Sequence, residues 1–162
     1  MSLEHDFLLL DRELDGDSEL SRFIHDPRAV HLHDDFVRYL SDTLSWIPTF
    51  NPSRREPHCG LCMWGMTTIE AQCAPLAERV FRGWAELLAL GPAELSLTGN
   101  FAFAADSGEP APVGERVTQL EGGYHRLSFD RDETVRVLRQ LAAYSRAVAN
   151  ANGRLYILHI GV

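Results

Sequence analysis

Lysine is absent from this sequence: all 15 of its cationic side chains are arginines. That excludes every mechanism needing a lysine amine, including the Walker-type phosphate loop and Schiff-base chemistry on pyridoxal phosphate or a carbonyl substrate. Long apolar runs are missing too. Stretches such as residues 7–10 and 101–105 fall far short of the roughly 18 residues a membrane-spanning helix needs. Where a secretory signal would be basic, the chain carries Glu4, His5 and Asp6, so export is not expected. Cysteine is scarce and odd in number (Cys59, Cys62, Cys73), which suits reduced thiols in a cytoplasmic protein better than a disulfide framework.

Catalytic signatures are lacking as well. There is no Gly-x-Ser-x-Gly, no cysteine in a nucleophile motif and no His-Glu-x-x-His, and Gly122-Gly123 precedes a strand pattern rather than the helix a phosphate loop would open. These absences lean away from an enzyme, and no cofactor is expected on this reading.

What the chain has in quantity is acid. Its 23 Asp and Glu against 15 Arg leave a net charge of −8, which argues against a nucleic-acid binder, since such a protein needs a basic stripe to displace counterions. The charge is uneven: residues 1–42 hold eleven acids and four arginines, a balance of −7, and the remainder is nearly neutral. Residues 11–19 are the densest part, with Asp11, Glu13, Asp15, Asp17 and Glu19 around a single arginine. They form the candidate surface for a basic protein partner.

With 45% apolar and 23% charged residues, the composition is that of a globular protein, and 162 residues suffice for one domain with its own core. A strand is expected over residues 8–10, then a short helix through Leu20, Phe23 and Ile24. A second helix, capped by Asp34 or Asp35, would carry Phe36, Leu40, Leu44 and Ile47 and stop at Pro48. Residues 48–60, with Pro48, Pro52, Pro57 and Arg54-Arg55, read as an irregular loop between an acidic extension (1–47) and the rest (61–162). From there the pattern is strand (61–70), then a helix beginning at Pro75 with Leu76, Val80, Trp84, Leu87 and Leu88 on its buried face. Next come a strand (94–105) kinked at Gly99-Asn100, a loop (106–114) and a strand (124–129). A long helix opened by the Asp130/Glu133 capping box and closed by Gly153 leads to a final strand (154–160). The expected class is α+β: a ferredoxin-like split β-α-β unit over about 61–160, with an N-terminal strand and two helices added. Trp46, Trp64 and Trp84 fall on apolar faces and are expected in the core.

Two clusters could hold a metal. His58, Cys59 and Cys62 form a C-x-x-C with an adjacent histidine, ligand types that zinc prefers, and His31 and His33 would point the same way on an extended segment next to Asp34-Asp35. A zinc protein or metal-dependent enzyme using both is the alternative reading. The bland one makes the cysteines packing residues and the aspartates helix caps. His125 and His159, in half-buried strands, are expected to be satisfied by hydrogen bonds rather than catalytic.

The residues Asn51-Pro52, Gly60-Leu61, Trp64-Gly65, Thr67, Ile69, Trp84, Gly91-Pro92 and Leu95-Ser96-Leu97-Thr98-Gly99 give about half of the chain a resemblance to the small α+β proteins of bacterial toxin–immunity loci. The resemblance implies a cytoplasmic, non-catalytic inhibitor that binds a cognate toxin, often through acidic surface. It carries over no interface residue.

Overall fold

The computed structural model describes residues 3–15, 19–101, 117–121 and 123–161. Its principal layer is a sheet of six strands in the order β2-β1-β9-β5-β3-β4, every neighbouring pair antiparallel. These strands are β1 (Glu4–Asp11), β2 (Val30–His33), β3 (Pro48–Asn51), β4 (Glu56–Cys59), β5 (Gly65–Ile69) and β9 (Leu155–Gly161). A second sheet is ordered β6-β8-β7, from β6 (Glu94–Phe101), β7 (Val117–Glu121) and β8 (Tyr124–Asp130). The helices described are α1 (Asp34–Tyr39), α2 (Ser41–Leu44), α3 (Ala74–Leu88) and α4 (Arg131–Asn150), and a 3₁₀ turn spans Leu20–Phe23. No helix among the described residues is long and apolar enough to cross a membrane.

The central strands explain the sheet. β1 and β9 are apolar on both faces, and both faces are covered. Phe7, Ile69 and Ile157 face α3 and α4 in one core with Phe81, Leu138 and Leu141. On the other face Leu8, Leu10, Tyr156, Leu158 and Ile160 pack with Phe23 of the 3₁₀ turn. The Phe7 and Phe81 rings meet edge to face with centroids 6.4 Å apart, and burying a side chain of that size contributes about 1.5–3 kcal/mol.

The long helix forms as its sequence dictates. The Asp130 carboxylate accepts from the Glu133 amide at 2.8 Å, and Asn152 and Gly153, both with positive φ, turn the chain out of α4 into β9. The kink expected at Gly99-Asn100 is present as a register shift between Thr98 and Phe101. A Cβ on Gly99 would come within 3.0 Å of the Leu127 side chain, so glycine is what lets β6 bend against β8.

Three expectations need revision. The elements of the ferredoxin-like unit occur in the expected order, yet their strands divide between two sheets. β5 pairs with β9 in one and β6 with β8 in the other. Both hydrogen-bonding edges of β5 are already taken, by β9 and β3, and both edges of β9 by β1 and β5. Residues 48–60 are not an irregular loop but the hairpin β3–β4, with Pro48 opposite Cys59 and Pro57 opposite Phe50. Pro57 is tolerated because β4 is an edge strand, where a missing N–H costs no ladder bond. The Asn51 side chain accepts from the Arg54 amide to set the turn. Finally, α3 buries Ala74, Ala77, Phe81, Ala85 and Leu88, whereas Leu76 and Leu87 are exposed. Trp46 and Trp64 are exposed as well, and Trp84 is half-buried. The close approach of α3 to α4 selects the small-residue face, not the face with the largest side chains. The loop expected at 106–114 lies outside the described residues.

Candidate functional site

Strands β1 and β9 and the start of α1 bring together four residues from three separate stretches of the sequence. His5 on β1 and His159 on β9 are both fully buried. Their rings stack with centroids 5.0 Å apart, and His5 Nδ1 lies 2.7 Å from His159 Nε2. The other nitrogen of His5, Nε2, is 2.9 Å from Asp34 Oδ1, and Asp34 Oδ2 accepts from Arg38 Nε, one turn along α1, at 2.7 Å.

Donor and acceptor roles follow from this geometry. An ionised Asp34 can only accept, so His5 donates from Nε2 and must accept at Nδ1 from the Nε2–H of His159. That leaves His159 Nδ1 as a bare lone pair in the core, with no partner among the described residues. Burial drives His159 well below the ordinary imidazole pKa, and nearby His5 adds to the shift. Burial also lowers His5, against the opposing pull of Asp34. For Asp34, burial acts upward, but the hydrogen bonds and charges of Arg38 and His5 prevail and hold it below its usual value. At neutral pH the chain therefore reads Arg38 cation, Asp34 anion, two neutral imidazoles. It tethers α1 to the sheet, and only its Asp34–Arg38 end reaches a surface.

That surface is a cleft of about 640 Å³ between α1 and the second sheet, lined by Asp34, Asp35, Arg38, Tyr39 and Asp42 on one side and by Thr98, Asn100 and His125 on the other. His33 caps α1, its Nδ1 accepting from the Asp35 amide at 3.2 Å. The same nitrogen lies 3.6 Å from the Asp35 carboxylate. A nitrogen accepting from an amide has its lone pair committed and cannot also donate, so the pair is a cap rather than a salt bridge. Arg38 is committed to Asp34, and neither Asp35 nor Asp42 has an arginine partner among the described residues. With three carboxylates and one guanidinium, the described lining of the cleft carries an excess of two negative charges.

The acidic loop is arranged differently. Asp11 accepts from Arg154 at 2.7 Å and from the Glu13 amide at 2.9 Å. Burial opposes these bonds but they outweigh it and hold the Asp11 carboxyl below its ordinary pKa. Asp15 accepts from the Asp11 amide and from Arg28, Glu13 lies 3.7 Å from Arg154, and Arg12 pairs with Glu70. Glu19 is exposed, and Asp17 lies outside the described residues. Most of the acids along 11–15 thus face arginines of the same chain. Sequence alone hides this, because Arg28 and Arg154 enter from elsewhere in the fold.

The metal candidates do not converge. His31 and His33 lie on β2 and His58 and Cys59 on β4, the two opposite edges of the six-stranded sheet. Five strand spacings, about 24 Å, separate those edges. His31 instead contacts Asp6 at 2.8 Å, the Cys62 sulfur accepts from Asn51 Nδ2 at 3.4 Å, and Cys59 is an exposed free thiol. Among the described residues no three His, Cys, Asp or Glu side chains gather where they could hold an ion.

Comparison with protein-family models, with curated proteins and with solved structures yields no match to this chain.

Proposed function

We propose that the chain is a non-catalytic binding protein, of the immunity type its sequence resembles, that receives a basic segment of a protein partner in the acidic cleft beside α1. The observation that carries this reading is the pairing state of the acids. Those of residues 11–15 are largely engaged by Arg28 and Arg154, whereas Asp35 and Asp42 line a concave surface with no arginine opposite among the described lining residues. The acidic N-terminal third remains the binding region, with its working face moved from the loop to the cleft. An arginine side chain of the partner would meet two carboxylates there and the Tyr39 ring beside them. A cytoplasmic setting belongs to the same reading and is supported by the free thiols. The alternative of a zinc protein or metal-dependent enzyme gains no ligand set among the described residues.

The test is titration of the isotope-labelled protein with an arginine-rich peptide at low salt. Amide shifts should concentrate on α1, residues 98–100 and His125, weaken as salt is raised, and vanish in the Asp35→Asn/Asp42→Asn variant. Shifts spread evenly over all acidic residues, or none in the cleft, would sink the proposal.

A further inference from the structure

The outer face of α3 is apolar, and among the described residues no element covers it. Leu76, Val80, Gly83, Leu87 and Leu90 follow one another at alternating steps of four and three residues, the spacing of a two-helix seam. All but Leu90 line a shallow groove of about 450 Å³ together with Trp46, Trp84, Thr43 and Arg79. Trp46 is 64% exposed, Leu87 57% and Leu90 85%. Trp84 is fixed by donating from Nε1 to Thr43 Oγ1 at 2.7 Å, and its ring meets Tyr39 edge-on. The aromatic flank is thus held rigid rather than left to collapse onto the helix.

Two features say what covers this face. The first is Gly83 at the centre of the seam. A glycine inside a helix is unfavourable by roughly 1 kcal/mol relative to alanine, and a Cβ here would touch nothing within 4 Å in the single chain. Nothing among the described residues calls for it, but close approach of another backbone at that point would. The second is charge. Arg79 and Glu86 lie on the flank of the seam opposite the tryptophans and are both exposed. Arg79 has no ion pair among the described residues, and Glu86 has only a 3.8 Å approach to Arg82. In an antiparallel pair of identical helices crossing at Gly83, residues whose numbers sum to about 166 face each other. Arg79 then meets Glu86 of the other copy and Glu86 meets its Arg79, while Leu76 lies against Leu90. The surface is self-complementary in charge and shape, as a two-fold interface requires.

We propose that α3 is the seam of a two-fold symmetric homodimer, with antiparallel α3 helices crossing at Gly83 and the Trp46/Trp84 flank closing one side. A patch made of exposed Trp46, Leu76, Leu87 and Leu90 beside half-buried Trp84 fits a self-complementary interface better than a solvent-facing role. The inference does not rest on the acidic-cleft reading, because the seam uses the other side of Tyr39.

Sedimentation equilibrium of the full chain between about 1 and 100 μM tests it. The wild-type chain should be dimeric in the upper part of that range. Leu87→Glu should be monomeric with an unchanged far-ultraviolet circular dichroism spectrum, since the side chain it replaces is exposed. Arg79→Glu and Glu86→Arg should each weaken the dimer about tenfold, and the two reversals together should restore it. Within one helix these residues are seven apart, about 10 Å along the axis, so such rescue can only come from a contact between copies. A wild-type chain that stays monomeric throughout, a dimer indifferent to Leu87→Glu, or a double reversal without rescue overturns the proposal. A monomer whose α3 face is covered by a different protein would be seen as the first of these outcomes.

Discussion

The buried histidine pair makes the stability of this fold sensitive to mild acid. In the unfolded chain an imidazole takes up a proton near pH 6.5. In the fold, burial lowers the pKa of His5 and lowers that of His159 well below this value. The unfolded state therefore binds more protons as pH falls. The stabilisation is complete above about pH 6.5 and is lost progressively below it, until the folded-state values are reached. Each fully suppressed imidazole costs about 1.4 kcal/mol per pH unit in that window. His159, fully buried with Nδ1 unpartnered, should account for about 2 kcal/mol between pH 6.5 and 5.0. His5, whose proton Asp34 favours, should add a smaller share in the same direction, so the whole loss is at least that of His159 alone. Asp34 is silent in this range: its lowered pKa makes its own contribution complete above about pH 4 and lost only below. With a urea dependence of about 2 kcal/mol per molar, the midpoint of unfolding followed by tryptophan fluorescence should fall by about 1 M or more from pH 7.5 to 5.0. His159→Gln keeps a donor for His5 Nδ1 and removes the titration, so it should abolish more than half of that slope. A wild-type midpoint unchanged over the interval, or a His159→Gln variant with the full slope, would refute the reasoning.

Two further outcomes follow from the packing around β1 and β9. Asp34→Ala removes the acceptor for both His5 and Arg38; Arg38 can be rehydrated but His5 cannot, so the variant should lose about 2–4 kcal/mol in chemical denaturation at pH 7.5, and a loss under 1 kcal/mol would deny the tether its role. Gly161→Ala places a Cβ against the carbonyls of Cys62 and Met63, backbone that cannot swing aside, and should lower the melting temperature by about 5–10 °C on a loss of roughly 2–3 kcal/mol; a melt within about 2 °C of wild type would mean that the segment at residues 62–63 yields easily.

What could be read from the sequence was local. The Asp130/Glu133 cap, the Gly153 exit and the kink at Gly99-Asn100 each depend on residues adjacent in the chain, and each is present in the fold. The hairpin at 48–60 was hidden because three prolines argue against strands unless it is known that one of those strands lies at an edge. The buried face of α3 was misassigned for a related reason. Periodicity weights Leu76, Val80 and Leu87 above Ala77 and Ala85, whereas close helix packing rewards the smaller set. The Arg38–Asp34–His5–His159 chain left only faint traces, an Asp and an Arg four apart and two histidines inside apolar strands. Its innermost contact joins positions 154 residues apart, and no pattern within a window spans that distance. The surface charge map failed for the same cause, since Arg154 reaches Asp11 across almost the whole chain.

The position of β9 governs how the molecule must be made. Of the described strands β1 leaves the ribosome before the others, and one of its two neighbours is β9, which pairs Asp6 with Ile160 and Leu8 with Leu158. At a synthesis rate of about 5–20 residues per second, β1 waits on the order of 10–30 s for that partner. During this interval an apolar strand, finally buried on both faces, has only β2 to pair with along its length. This sheet closes at its centre only when β9 arrives, and the nascent chain carries an open ladder edge from the synthesis of β1 until residue 161 is free.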